Sequence, residues 1–275
     1  MNEPIAILGN KWDHASLAVF TPPSLVHYAM GDKITPEWKL QELSANRFGS
    51  SENLNFFHIQ EPYRHRLRME LGMEILSAIP PDHIVFYTDA FDLMFNNSIT
   101  SVLSLFLEIE RLTPPDSFGR KPAILFNGEK NCWPDTSVAS LYPAEDLSTE
   151  HPYLNSGVMI GRCRAILDVL KRRTTSPDIA ERDRWEKVSE DDQRFWTHAY
   201  LSSRTDKTLP RIAVDHYCRL ACCVYAQEND AFSANNGVVF MKKTGVRPCL
   251  LHFNGPSKAA MKGVTEQLGY QGILT

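Results

Sequence analysis

No stretch of about 18 or more consecutive apolar residues occurs in the chain, the length a helix needs to cross a bilayer, so no membrane-inserted helix is expected. The opening MNEPIAILGNKWD has an acid at position 3 and too short an apolar core for a secretory leader; it reads as a first strand, and the chain as it stands reads as cytosolic or as a mature fragment. Positive charge is not in excess. The net charge of −4 gives no sign of a nucleic-acid surface. Cysteine is sparse, six in 275 residues, which excludes a disulfide scaffold. Cys218, Cys222 and Cys223 form C-x3-C-C with no second pair at zinc-type spacing, and read as buried thiols. No internal repeat or low-complexity linker breaks the chain. Charged residues stand at 23%, an ordinary globular level that excludes extensive disorder. One N-x-S sequon, at Asn96, is too short a motif to argue from.

What is present is apolar material for a sizeable core, 43% of residues, in strand and helix patterns that alternate. PIAIL (4–8), LVHYAM (25–30), HIVFYTD (83–89) and PAILFNGE (122–129) read as strands, as do RIAVD (211–215), GVVFM (237–241) and CLLHF (249–253). Helical spacing runs from Tyr63 to Ile79 and stops at Pro80-Pro81. Ser98 is placed to cap a helix through Ile109, and helices are expected from Cys163 to Arg173 and from Asp191 to Leu201. This order predicts an α/β fold with a mixed, mostly parallel central sheet flanked by helices, in one domain. Irregular loops are expected near 30–60, 128–152 and 174–190.

The chemistry concentrates where HIVFYTDAFDLMFN (83–96) ends a strand in two acids three apart, Asp89 and Asp92. Ligands in open α/β sheets sit at the carboxyl ends of strands. Two adjacent carboxylates repel unless a cation or a proton is shared, and hard oxygen ligands suit Mg2+ or Mn2+. The other reading is a helix cap plus a solvated turn acid. LHFNGPSK (251–258) puts His252 and Asn254 at the end of a second strand, followed by Gly255 and Lys258. EDDQRFW (190–196) stacks acids at a helix start, which capping alone also explains. YLNSGVMIG (153–161) reads as a turn running into a small-residue strand.

Six segments, FYTDAFDLMF, FNGEKNCWPD, YLNSGVMIG, EDDQRFWTHAYL, IAVDHYCRL and LHFNGPSK, occur in order between about residues 84 and 258. Together they resemble the glycosyltransferase domain of the collagen lysyl hydroxylases, the procollagen galactosyl/glucosyltransferases. The N-terminal quarter matches only in its strand pattern. The resemblance implies a GT-A-like, Rossmann-like fold. It divides into a nucleotide-binding part at about 1–130 and a sugar and acceptor part at about 131–260. It implies transfer of glucose or galactose from a UDP-sugar to a hydroxyl on a protein side chain or glycan, with Mn2+ (Mg2+ as the alternative). Asp89, Asp92 and His252 would be the metal ligands, a D-x-x-D pair plus an imidazole. Phe91, in place of the family's usual Tyr, would stack on uracil, with Gly9 and Asn10 near the uridine. Asn254, Gly255 and Lys258 would face the diphosphate, and Arg66 or Arg68 stands where the family carries a basic residue. Asp191 and Asp192 would be catalytic on the sugar and acceptor side. Trp133, Asn155, Ser156 and Gln193 would line the sugar pocket, although Trp133 also reads as a core residue. Asp215 matches as well and reads as structural. The family's hydroxylase region has no counterpart before Thr275, so no hydroxylase activity is expected. Two competitors remain at this stage: an inactive nucleotide-sugar-binding module, and an aspartate phosphotransferase, whose acids stand two apart instead of three.

Overall fold

The computed structural model describes residues 24–59, 64–176, 178–228 and 230–274, with the backbone of Ile5–Ala6 and Val19–Phe20. The strands are β1 (Ile5–Ala6), β2 (Val19–Phe20), β3 (Leu25–Gly31), β4 (Phe56–His58), β5 (Ile84–Asp89), β6 (Leu93–Phe95), β7 (Pro122–Glu129) and β8 (Tyr153–Arg162). They continue with β9 (Arg211–Asp215), β10 (Ala221–Cys223), β11 (Phe232–Asn235), β12 (Val238–Met241) and β13 (Leu250–His252). The helices are α1 (Pro36–Arg47), α2 (His65–Ser77), α3 (Ile99–Leu112), α4 (Ala144–Leu147), α5 (Cys163–Leu170), α6 (Arg172–Thr175), α7 (Ile179–Val188), α8 (Asp192–Ser203) and α9 (Lys258–Gln267).

Seven strands run in the order β1-β4-β3-β5-β8-β7-β9, and β2 pairs alongside β3. The ladders are parallel except at β2 and β8; β8 runs antiparallel between β5 and β7. The period-2 alternation of side chains divides β3 cleanly. Val26, Tyr28 and Met30 face a core shared with α2, α5 and α8. Leu25 and Ala29 face the opposite core, with Trp38 of α1 and Val102, Leu105 and Phe106 of α3. His27 lies on that second face, fully buried, with Nε2 2.9 Å from Thr88 Oγ1 and its ring 5.1 Å from Phe86. Burial pushes its pKa down to about 3, so it serves as a neutral core residue.

A smaller sheet, β10-β13-β6, stands at the carboxyl end of β5. Asp89 closes β5 and Leu93 opens β6, so the chain crosses from one sheet to the other between the two acids.

Several expected loops are ordered elements. The 30–60 region holds α1, with Thr35 as its cap accepting from Trp38 N and Pro36 in the first turn, and then β4. The 174–190 region holds α7, capped by Asp178. The 128–152 stretch carries a short 3-10 turn (Thr136–Leu141) and α4. The helix expected over Cys163 to Arg173 ends at Leu170 and resumes as α6. The YLNSG segment is strand throughout; the ladder pairs Phe126 with Met159 and Asn127 with Asn155, so Ser156, Gly157 and Val158 bulge away from β7. Ser98 does cap α3, accepting from Ser101 N.

The ring of Phe86, fully buried between His27 and Phe95, ties β5 to the second core. Phe86→Ala should destabilise the fold by about 3–5 kcal/mol in a denaturant titration, the usual cost of a large aromatic cavity. A loss under about 1 kcal/mol would show that this face of the sheet is not the close-packed core described.

Candidate active site

Backbone pairing assembles the acids and the imidazole. β13 pairs antiparallel with β6, and His252 lies opposite Leu93. The Phe253 N–H donates to the Asp92 carbonyl at 2.7 Å, which seats Asp92 beside His252. Asp89 ends β5 next to Met30 of β3. One side-chain ligand atom from each of Asp89, Asp92 and His252 lies within 4.8 Å of the others. His252 Nε2 is 3.8 Å from Asp89 Oδ2 and 3.5 Å from Asp92 Oδ1.

Each acid turns one oxygen to a fixed donor and the other inward. Asp89 Oδ1 accepts from Tyr87 Oη at 3.0 Å and pairs with Arg68 at 2.9 Å. Asp92 Oδ2 pairs with Lys258 Nζ at 3.0 Å. Burial resists ionisation of Asp92, but His252 and Lys258 outweigh it and hold the carboxyl down to about 2. Burial pushes Asp89 up, Arg68 opposes it, and Asp92 adds to the rise. His252 is raised despite burial, because Asp92 and Asp89 favour its charged form. Asp92 Oδ1 and His252 Nε2 are both buried without a hydrogen-bond partner. A Cβ at Gly157 would stand 2.3 Å from His252 Cε1 and 2.8 Å from Asp89 Oδ2, so glycine on the β8 bulge keeps that space open. Two carboxylates and an imidazole with inward, unpartnered atoms fit a divalent cation of the Mn2+ or Mg2+ class.

A second group of acids lies across the cleft. Asp191 is the cap of α8, and its Oδ1 accepts from Arg194 N at 2.9 Å. Asp192 is buried and engaged on both oxygens, by His65 Nδ1 at 2.7 Å, Arg68 at 2.7 Å and Ser156 Oγ at 3.0 Å. Burial opposes its charge, yet Arg68 and His65 prevail and hold it down to about 2. The capping reading of this segment therefore applies to Asp191, and Asp192 is an ion-paired anchor. Of the two candidate arginines, Arg68 reaches the acids, whereas Arg66 pairs with Glu70, Glu186 and Glu190 on the surface.

Glu129, at the end of β7, was not anticipated as a site residue. It is buried, accepting from Asn155 and Gln193 on Oε1 and from Asn254 on Oε2. Burial raises its pKa against these donors. Gln193 also donates to the Trp133 carbonyl at 3.0 Å. Trp133 is 66% exposed, which removes the core reading. Together with Gly255, these residues line a cleft of about 460 Å3. Phe91 stands outside that lining and packs on Gly31, where a Cβ would meet its ring at 2.3 Å. Asp215 accepts from the Tyr217 and Leu220 amides and shapes a turn. Gly9 and Asn10 lie outside the described residues.

The profile of the PLOD GT domain matches residues 65–270, three-quarters of the chain. The chain belongs to the PLOD GT domain family. A multifunctional procollagen lysine hydroxylase and glycosyltransferase of Caenorhabditis elegans is 27% identical over 203 residues, covering 68% of this chain and 23% of that protein. The human multifunctional procollagen lysine hydroxylase and glycosyltransferase LH3 is 27% identical over 195 residues, covering 70% and 22%. An uncharacterised protein of Acanthamoeba polyphaga mimivirus is 28% identical over 183 residues, covering 66% and 34%. The chain thus spans about a third or less of the length of these relatives. A crystal structure of a glycosyltransferase involved in glycosylating the major capsid of PBCV-1 superposes with a TM-score of 0.48 at 15% identity, over 88% of this chain and 98% of that one. The PLOD GT match opens at His65 and so takes in every acid of the cleft. Among the described residues no helix is long and apolar enough to cross a membrane.

Arg68 bridges Asp89 and Asp192 with its side chain only 16% exposed. Arg68→Ala should cost about 3–5 kcal/mol in chemical denaturation, because it strands buried carboxylates. A loss under about 1 kcal/mol would show that His65 and Ser156 alone satisfy Asp192.

Proposed function

We propose that this glycosyltransferase-family chain moves a hexose, glucose or galactose, from a UDP-sugar to an acceptor hydroxyl on a protein side chain or a glycan, with Mn2+ (or Mg2+) as cofactor. The observation that carries this reading is the inward pair Asp92 Oδ1 and His252 Nε2, buried 3.5 Å apart with no hydrogen bond to either, opposite a separate set of acids in the same cleft. Asp89, Asp92 and His252 would hold the cation. Bound there, it supplies Lewis-acid stabilisation to the departing diphosphate.

The chain's own groups take the other roles. Lys258, already at the rim of the cluster, adds a point charge for the diphosphate. Asn254 and Gly255 approach the same group from the turn after β13. Phe91, outside the cleft lining, is assigned to uracil stacking, and Gly9 and Asn10 to the uridine, on the family resemblance alone. Asn155, Ser156 and Gln193 line the sugar pocket, and Trp133 lies at its mouth with its side chain exposed. Asp191, with only Oδ1 committed to the helix cap, and Glu129 are the groups for the acceptor proton. Asp192 positions His65, Arg68 and Ser156. In this reading the nucleotide part at about 1–130 supplies two metal ligands and the later part supplies His252.

Thermal unfolding with UDP, with Mn2+ and with both tests the shared site. A ligand at about a hundred times its Kd adds about 2.7 kcal/mol of stability. The expected result is a large rise in Tm only with both, lost in Asp92→Asn. An equal rise in that variant would remove Asp92 from the metal site. Wild-type protein should then hydrolyse UDP-glucose or UDP-galactose; binding without turnover would make it an inactive module. Glu129→Gln should slow transfer by about 100-fold or more, in the range of general-base loss, with the UDP-dependent rise in Tm intact. Unchanged transfer would eliminate Glu129 and leave Asp191 as the base.

A further inference from the structure

A second cluster of metal-ligating side chains lies behind the catalytic strand. Cys222 and Cys223 are neighbours on β10, so their side chains project to opposite faces. Cys223 lies opposite His252 in the ladder, and its Sγ is 3.7 Å from His252 Nδ1. Cys222 lies opposite Leu251 and joins a different apolar cluster that also contains Cys218. One ligand atom from each of His151, Cys218 and Cys222 lies within 4.8 Å of the others. All three residues are buried, and both cysteines are free thiols.

The surroundings hold these groups in place. Cys218 adopts φ of 57°, a left-handed conformation that a non-glycine residue avoids unless its context imposes it. The His151 carbonyl accepts from His216 Nδ1 at 2.9 Å, and His216 Nε2 pairs with Asp146 at 3.1 Å. Gln227 Nε2 lies 2.8 Å from His151 Nε2 and 3.7 Å from Cys222 Sγ, closing a fourth side. Cys222 also lies 3.6 Å from the Cys223 carbonyl, and Cys218 hydrogen-bonds to both Cys222 and His151.

We propose that His151, Cys218 and Cys222 form a structural zinc site that pins the segment leading into β8 to strand β10. Two thiolates and an imidazole are a soft, nitrogen–sulfur donor set of the kind zinc selects over Mn2+ and Mg2+, and a water takes the fourth position, because Gln227 turns its non-ligating amide nitrogen to the cluster and donates it to the Cys223 carbonyl at 2.9 Å. Binding displaces the two thiol protons to solvent. The sequence pattern hid the site because the third ligand comes from far upstream. The site is chemically distinct from the carboxylate cluster, and the two should sort metals by ligand softness.

The test uses the full chain, depleted of metal and reloaded with Zn2+, and separately with Co2+ as a spectroscopic probe. About one zinc per chain should survive dialysis against citrate. Co2+ should give a thiolate-to-cobalt charge-transfer absorption. Both should vanish in Cys218→Ser and Cys222→Ser and persist in Asp92→Asn and in Cys223→Ser. A cobalt spectrum without the thiolate band, a band that survives Cys222→Ser, or a Cys218–Cys222 disulfide in the mass spectrum of untreated protein would each overturn the proposal. Should the serine variants not fold, alkylation of wild-type protein decides: zinc is expected to protect two thiols, and equal labelling with and without zinc would overturn it. None of these readouts involves donor binding or transfer, so they stand whatever becomes of the UDP-sugar reading.

Discussion

The site depends on one crossing of the chain. Between Asp89 and Asp92 the backbone leaves the large sheet, where β5 is held between β3 and β8, and enters the small one, where β6 pairs with β13. That step sets two carboxylates side by side and brings a histidine from the far end of the chain against them. At about 4 Å and an effective dielectric near 20, two such charges repel by about 4 kcal/mol. Backbone hydrogen bonds, the Phe253 N–H to Asp92 carbonyl bond among them, enforce the approach. Side chains then have to neutralise it, and Arg68 from α2 and Lys258 from α9 do so on the outer oxygens only. The inner oxygen of Asp92 is left with only the ion-pair contact to His252 Nε2 at 3.5 Å and no hydrogen bond, and that weak satisfaction is the chemical character of the site.

The first turn of α2 connects this cluster to the rest of the cleft. His65 and Arg68, three apart on one helical face, both reach Asp192, and Arg68 also reaches Asp89. The acids of the cleft are consequently driven apart in character. Asp192 and Asp92 are held ionised by cations, whereas Glu129, surrounded by three amides, is pushed up by burial. Such a separation distinguishes anchoring carboxylates from groups poised to exchange a proton, and supports assigning them different duties.

What could be read from the sequence follows from how local each signal is. The D-x-x-D pair, the strands at 25–30, 122–129 and 211–215, and the Ser98 cap are all encoded within a few residues. Helix α1 was hidden because its buried face is partly polar. Gln41 donates to Thr88 Oγ1, and Ser44 accepts from Phe95 N, so the apolar period is interrupted where packing is tightest. Its Thr35-Pro36 start was the signal available. Helix α7 is mostly charged with Trp185 buried, and only the Asp178 cap marks it. Trp133, Asn155 and Gln193 lie inside three of the six family segments and line the cleft, whereas Phe91 and Lys258, from two others, do not. Glu129 lay inside one of those segments, but its importance comes from amides on β8, α8 and the turn after β13, a convergence no local pattern contains.

The bulge opposite Asn127 shows how one backbone irregularity serves two needs. It carries Gly157 out of the β7 ladder toward His252, leaving space where a side chain would collide. It also frees the Asn155 and Val158 carbonyls, and the Asn127 amide is best satisfied with its nitrogen toward them, at 3.1 and 3.2 Å. Its carbonyl then faces Cys223 and accepts from that thiol, whose sulfur accepts in turn from His252 Nδ1–H. With Nδ1 protonated and engaged, Nε2 is the nitrogen directed at the two acids. In the absence of a bridging cation, Asp92 and Asp89 favour a second proton there, and this explains the raised pKa of a fully buried imidazole. On the reading proposed above, Nε2 is the atom through which His252 would join Asp89 and Asp92 in holding a divalent cation. The β7–β8 irregularity therefore orients the same histidine that the β6–β13 ladder delivers.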